Sequence, residues 1–151
     1  MSPIELEYYL HEHIPISRAM QLSVHSVEDE CVVLSAPLGP NINHRETVFG
    51  GSASALAILA AWSLLHTRLR GSGYACRLVI QRNTMEYEHP IRGLFYARSS
   101  LSPPEAWLKF LHILQRKGKA RITVTSILEH EGQVVGRFSG VFVALDAHQP
   151  A

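Results

Sequence analysis

One uncharged apolar stretch, running from Ser52 to Leu65, limits the fold of this chain more than any other feature. As a helix it is apolar on almost every side, so it is stable only when other parts of the protein surround it. Gly50 and Gly51 come directly before it, at the end of a polar loop. The sequence therefore predicts a central helix whose first turn offers free backbone N–H groups to a carbonyl oxygen or to an anion. Glycines also occur before helices simply to end a loop, and the pattern alone leaves that interpretation open.

The composition is that of an ordinary soluble domain. The chain has 151 residues, of which 46% are hydrophobic and 18% are charged, and its formal net charge is +1. This length predicts one domain, residues 1–151, with one sizeable core. The near-neutral charge gives no basic field for nucleic acid, and the apolar stretch is shorter than the roughly 20 residues that cross a bilayer. Because residues 1–13 also lack the pattern of a signal peptide, we expect a cytoplasmic protein without a nucleic-acid or membrane partner.

Neither the cysteines nor the histidines form a metal-binding pattern. Cys31 and Cys76 lie in strand-like surroundings without a CxxC spacing, so small buried hydrophobes explain them better than a disulfide or a metal site. In His11-Glu12-His13 the two histidines are two residues apart, and on a helix they would point to different faces. We therefore expect no metal and no other cofactor.

Caps and hydrophobic periods predict the order of the elements. Ser2-Pro3-Ile4-Glu5 has the spacing of a capping box and starts a first amphipathic helix. Ser102-Pro103-Pro104-Glu105 repeats that spacing before a second amphipathic helix, and Gly71 to Gly73 end the central one. Apolar runs predict strands at 21–27, 30–37, 75–88, 94–101, 121–130 and 133–145, with Glu131-Gly132 as the turn of the last hairpin.

These elements predict an α+β fold in which one antiparallel sheet wraps around the long central helix. A single sheet covers that helix on one side only, so its other apolar faces need further cover. A homodimer is the simplest way to supply the cover, and a tetramer is the alternative.

The run Asn43-His44-Arg45-Glu46-Thr47-Val48-Phe49-Gly50-Gly51 resembles the loop of the hot-dog fold acyl-thioester enzymes. In that family an asparagine-or-glutamine loop with a glycine pair precedes a long central helix, a curved sheet wraps the helix, and two subunits pair edge to edge. The run 47–52 and the inserted helix at 102–118 are similar to a narrower thioesterase family. Its members occur alone or fused behind a GNAT-type N-acetyltransferase, and the chain shows no phosphate-cradling glycine loop of such an acetyltransferase.

The resemblance implies roles for the loop residues. The backbone N–H of Gly50 or Gly51 polarises the thioester carbonyl, and Asn43 positions the attacking water or the acyl group. Preorganised N–H donors at a helix start stabilise the oxyanion through which a thioester passes. The chain departs from the family at two positions, because Phe49 replaces a histidine that many relatives carry and Ile58 stands where they carry a catalytic carboxylate.

Residues close to the loop must then supply the general base. Glu46 is the best candidate, because a carboxylate over a helix start can deprotonate water, although a solvated carboxylate favoured by the helix dipole explains it as well. His44 can do the same work, and Ser54 can hold a water unless it simply bonds its own helix. Glu86 or Glu88, at the end of the third predicted strand, reaches the partner's site if that strand lies at the dimer interface. The candidates are Asn43, Glu46, Gly50, Gly51 and Ser54 for catalysis and His44, Phe49 and Glu88 for substrate binding.

A basic cluster follows the second amphipathic helix. Arg116, Lys117, Lys119 and Arg121 can hold the phosphates of coenzyme A or face an acidic acyl-carrier protein, and we name Arg116 and Lys117 as substrate-binding candidates. Basic residues at the end of a helix also stabilise its dipole, which explains the cluster without a ligand.

Three functions are compatible with this sequence. The first is hydrolysis of an acyl-CoA or acyl-carrier thioester with a base in an unusual place. The second is binding of an acyl thioester without turnover, which the missing helix carboxylate favours. The third is a hydratase or dehydratase, which needs a paired histidine and acid that Phe49 and Ile58 do not supply.

Overall fold

A computed structural model describes residues 1–101 and 103–147 of the chain. Six strands form one antiparallel sheet in the order β1-β2-β4-β5-β6-β3. The strands are β1 (Ser23–Val27), β2 (Cys31–Ala36), β3 (Cys76–Tyr87), β4 (Phe95–Leu101), β5 (Lys119–His130) and β6 (Gln133–Asp146). The helices are α1 (Pro3–His13), α2 (Pro15–Ala19), α3 (Gly50–Gly71) and α4 (Ala106–Lys117).

The long helix α3 packs on the sheet, as the sequence predicted. Its core-facing side chains are fully buried, among them Leu56, Ala60 and Leu64. The buried Ser126 hydroxyl of β5 donates a hydrogen bond to the Ala57 carbonyl of α3 at 2.9 Å, which fixes the helix against the sheet. The predicted antiparallel sheet around a central helix is therefore confirmed.

One face of α3 remains only partly covered. Ser54, Ala55, Ile58 and Trp62 lie along this face at helical spacing, and each is half-buried. The Trp62 indole N–H donates to the Leu78 carbonyl of β3 at 3.0 Å, so the open face lies beside the β3 edge of the sheet.

Strand β3 is a long and exposed edge. Among the residues that the structure describes, it pairs with β6 alone along its 12 residues. Large side chains such as Val79 and Tyr87 are more than half exposed on it. Such an edge presents unpaired backbone groups to another strand.

The ends of the elements differ in places from the sequence-based expectation. The capping box at Ser2 and Glu5 forms, and Glu131 and Gly132 both adopt positive φ in the last hairpin turn, so these two predictions are confirmed. The short helix α2, which starts at Pro15, was not predicted. The central helix begins at Gly50 rather than at Ser52, so the glycine pair forms its first turn.

The inserted helix α4 also begins later than predicted. Of the second capping box, Ser102 lies outside the described residues, and Pro103-Pro104 forms a turn that leads into the helix at Ala106. Adjacent prolines favour an extended or turn conformation before a helix. Strand β4 ends at Leu101, which pairs with Val124. Among the described residues, 119–123 of β5 therefore pair with β6 alone, and α4 packs beside β5.

Both cysteines are free thiols and half-buried, and burial raises the pKa of Cys76. No helix in the described part of the chain is long and apolar enough to cross a membrane.

Candidate active site

The loop before α3 is held together by the side chain of Asn43. Its Oδ1 accepts hydrogen bonds from the backbone N–H groups of Arg45 and Thr47, at 2.8 and 3.1 Å. Its Nδ2 donates to the Thr47 hydroxyl at 2.9 Å and to the Val48 carbonyl at 3.4 Å. All hydrogen-bonding groups of the amide thus serve the loop, and contact of Asn43 with water or an acyl group stays a prediction.

The other loop residues named from the sequence lie at the surface. His44 and Glu46 are exposed at the tip of the loop, and Glu46 adopts a positive φ of 62°. Its backbone N–H bonds the Asn43 carbonyl at 3.2 Å, while its carboxylate has no hydrogen-bond partner among residues 1–101 and 103–147. The base role of either residue stays a prediction.

The first turn of α3 presents two unpaired backbone N–H groups. Phe49 is the N-cap, and its carbonyl accepts from the N–H groups of Ser52 and Ala53 at 2.9 and 3.0 Å. Within the described chain the N–H groups of Gly50 and Gly51 have no acceptor, and no side chain caps the helix. They are therefore available to an oxyanion at the positive end of the helix dipole.

Two aromatic rings flank the glycine pair. The Phe49 ring lies over Gly51 so closely that a Cβ there would come within 2.3 Å of it. The Tyr87 ring packs against Gly50, 3.4 Å from the position of a Cβ, and its hydroxyl donates to the Gly50 carbonyl at 3.2 Å. Phe49 was a sequence-based candidate, whereas Tyr87 was missed. An aromatic residue near a strand end is ordinary, so only its position next to the candidates Glu86 and Glu88 could have drawn attention to it.

A cleft of about 360 Å³ opens between the start of α3 and the segment that follows β3. Gly50 and Ala53 line one wall, and Tyr87, Glu88 and His89 line another. The Glu88 carboxylate accepts from Arg137 at 2.7 Å, so it is already paired. Larger cavities exist elsewhere in the described residues, but this cleft borders Gly50, whose N–H has no acceptor there.

The remaining candidates divide into near and distant ones. Ser54 lies one turn into α3, half-buried, and its hydroxyl has no hydrogen-bond partner in the described part of the chain. Glu86 is exposed on β3. Arg116 and Lys117 lie at the end of α4, which packs beside the first residues of β5. The first residue of β5 and Arg77 at the start of β3 both pair with Leu145 of β6, so α4 ends near the start of β3. The cleft lies at the other end of β3, so one subunit does not bring these two residues to it.

The six-stranded antiparallel sheet, the long helix packed on it and the glycine pair at its start define the class, which is the hot-dog fold of the thioesterases. Within this class the model of the family described as "Putative thioesterase" matches residues 4–146, and the chain belongs to that family.

Solved structures agree with this assignment. A protein of unknown function from Chlorobaculum tepidum is 29% identical, with a TM-score of 0.89 over 96% of this chain and 97% of its own. The putative thioesterase from Shewanella oneidensis is 26% identical, with a TM-score of 0.85 over 95% of this chain and 96% of its own. A thioesterase from Haemophilus influenzae shares the fold, with 10% identity and a TM-score of 0.78 over 99% of this chain and 94% of its own.

Proposed function

We propose that this protein hydrolyses acyl-CoA or acyl-carrier thioesters, in the cytoplasm, at the cleft beside Gly50. The observation that carries the proposal is that Gly50, which lines this cleft, and the adjacent Gly51 have backbone N–H groups without an acceptor among the described residues. Thioester hydrolysis needs donors of this kind because negative charge develops on the carbonyl oxygen in the transition state. Membership of the family supports the same chemistry.

In the proposed reaction a water molecule attacks the thioester carbon, and the carbonyl oxygen becomes an oxyanion bound by the two N–H groups. Glu46 takes the proton from the attacking water, because its carboxylate is free of other bonds in the described chain. When the oxyanion collapses, the carbon–sulfur bond breaks. The leaving thiolate takes the proton from Glu46, and a carboxylic acid and a free thiol result.

The alternative is an acyl-thioester-binding module without turnover. Helix α3 carries no carboxylate, and Ile58 stands where the resemblance to the hot-dog enzymes places a catalytic acid. Glu88, another nearby carboxylate, already forms an ion pair with Arg137 and is therefore not free to act as a base. Both functions use the same cleft, so only a measurement of turnover distinguishes a thioesterase from a binding module.

We further propose that the protein is a homodimer in which two β3 strands pair edge to edge. The 12-residue edge, which has no strand partner in the described part of the chain, and the half-buried face of α3 beside it support this arrangement. A two-fold axis at β3 makes the pairing antiparallel and extends the sheet across both subunits. Residues near Tyr87 then lie close to the partner, as the sequence-based proposal for Glu86 and Glu88 requires.

The function is tested by release of free thiol from a panel of acyl-CoA substrates with short, medium, long and aromatic acyl groups. We expect hydrolysis of at least one of them. Binding of acyl-CoA in calorimetry without hydrolysis of any panel member would favour the binding module instead. The panel also identifies the acyl group, which depends on side chains from two subunits.

A further inference from the structure

A groove between α4 and β5 has the features of an anion site. One cavity of about 640 Å³ and a second of about 320 Å³ share Lys109, Ile113 and Arg121 in their linings, so they are parts of one groove. Lys117 and Lys119 complete a set of four cations around the larger part. No carboxylate lines either part, and none of the four cations forms an ion pair within residues 1–101 and 103–147.

The strand register explains why these cations converge. Ala120, Ile122 and Val124 of β5 face the core, so Lys119 and Arg121 point to the opposite side of the sheet. Arg121 is held there by a hydrogen bond from its Nε to the Gln81 side chain of β3 at 3.0 Å. Helix α4 adds Lys109 and Lys117 from the other wall, two turns apart on one side of the helix.

We propose that this groove binds the phosphates of a coenzyme-A-type nucleotide, and the inference rests on the thioesterase function proposed above. A pyrophosphate and a 3′-phosphate together supply several negative charges, which match the four cations that line one concave site. The smaller part of the groove is lined mostly by apolar groups, including Ala106 and Ile113, which suit the adenine ring. A convergent, concave site of this kind fits a small polyanion better than the surface of an acidic protein.

The groove serves the cleft of the partner subunit. Within one subunit the groove lies beside β3 from Arg77 to Gln81, which is ten to six residues from Tyr87 at the cleft, or roughly 20–33 Å of strand. In the proposed dimer the two β3 strands run antiparallel. The groove end of one strand then lies opposite the cleft end of the other. Because the groove is on the outer face of the sheet and the cleft is on the α3 face, a nucleotide thioester that joins them passes around the end of the paired strands.

Binding is measured first with adenosine 3′,5′-bisphosphate, which lacks the thioester and does not depend on turnover. We expect calorimetric binding that weakens as salt rises. The Lys109→Gln/Lys119→Gln variant should bind at least about tenfold more weakly, since each lost charge-assisted contact has about that effect. The Arg18→Gln/Arg70→Gln variant removes the same charge from exposed sites outside the groove and cleft, and should bind normally. Absence of binding, or equal loss in both variants, would overturn the proposal.

Kinetics then connect the groove to hydrolysis. In the Lys109→Gln/Lys119→Gln variant, called the groove variant from here on, KM for acyl-CoA should rise about tenfold or more. Hydrolysis of the matching acyl-pantetheine, which lacks the nucleotide, should stay at the wild-type rate. An equal effect on both substrates would contradict a nucleotide site. If neither substrate is hydrolysed by wild-type protein, the thioesterase proposal fails, and calorimetry still decides whether the groove binds the bisphosphate.

A mixed dimer tests whether the groove acts across the interface. One subunit carries the groove variant, and the other carries Gly50→Pro, which damages the cleft. Each site would then combine one cleft with the partner's groove, so the mixed dimer should show the wild-type KM at one of its two sites. A KM as high as that of the groove variant alone would show that groove and cleft of one subunit work together, and would contradict this arrangement.

Discussion

Asn43 ties the loop before α3 together through hydrogen bonds to Arg45, Thr47 and Val48. Asn43→Ala should therefore lower turnover by roughly tenfold or more, because the loop positions the start of α3 and the acyl group. It should also lower the free energy of unfolding by about 1–3 kcal/mol, from the lost hydrogen bonds. Steady-state kinetics and urea unfolding measure the two effects.

Asn43→Asp separates the two roles of this residue. Aspartate keeps the bonds that Oδ1 accepts from Arg45 and Thr47 and loses those that Nδ2 donates. Its stability should lie between those of the wild type and Asn43→Ala. Wild-type kinetics in a folded Asn43→Ala variant would remove Asn43 from the active site.

Glu46 is the proposed general base, and a matched control exists for it. Glu46→Gln keeps the length and hydrogen-bonding reach of the side chain but cannot accept a proton, so kcat should fall with little change in acyl-CoA binding. Glu131 is also an exposed glutamate with positive φ, in a hairpin turn that does not line the cleft, and Glu131→Gln should have wild-type kcat. If Glu46→Gln is as active as this control, the base is another residue, and His44 and the partner's Glu86 or Glu88 are the next to test.

At the scale of elements, α1 and α3 are joined by a stack of rings. His66 lies 4.5 Å from the Trp62 ring and 4.7 Å from the Tyr9 ring, and its Nε2 is buried without a partner in the described residues. Burial, followed by the nearby positive charges of Arg70 and His13, lowers the pKa of His66 from 6.5 to about 4.

This shift makes the contact between α1 and α3 sensitive to acid. The unfolded chain binds a proton at His66 below pH 6.5, and the folded protein does so only near pH 4, so stability should fall as the pH drops from 6.5 to about 4. His66→Phe keeps the ring stack and should remove part of this loss. Urea unfolding at pH 7 and pH 5 measures it, with His44→Gln, at the exposed loop, as control. An unchanged pH dependence in His66→Phe would contradict the account.

Elements with local signals could be predicted from the sequence, and contacts between distant residues could not. The apolar run of α3 and the turn residues Glu131-Gly132 mark their elements directly. Helix α2 is five residues long and begins at Pro15, so it has no hydrophobic period to recognise. The bond from Tyr87 to Gly50 joins residues 37 apart, and it depends on where β3 ends beside α3. No local pattern marks such a contact.

At the scale of the whole molecule, the edge of β3 is the dimer interface that we propose. Val79 is 51% exposed on that edge, and Val79→Lys places a charge where the second β3 would pair. We expect light scattering to show a dimer for the wild type at micromolar concentration and a shift towards monomer for this variant. Leu108→Lys, on the exposed side of α4, is the matched control and should remain dimeric. A wild-type monomer, or a Val79→Lys protein as dimeric as the control, would contradict the proposed interface.

The central claim is that the N–H of Gly50 stabilises the oxyanion, and Gly50→Pro tests it most directly. Proline removes this N–H and suits the first position of a helix, while Phe49, with ψ of 132°, already has the extended conformation that precedes proline. Gly50→Ala keeps the N–H and adds a Cβ in ordinary contact with Tyr87. With the best acyl-CoA of the panel, we predict a kcat for Gly50→Pro roughly 100-fold or more below that of Gly50→Ala. Equal kcat values in two folded variants would contradict the claim.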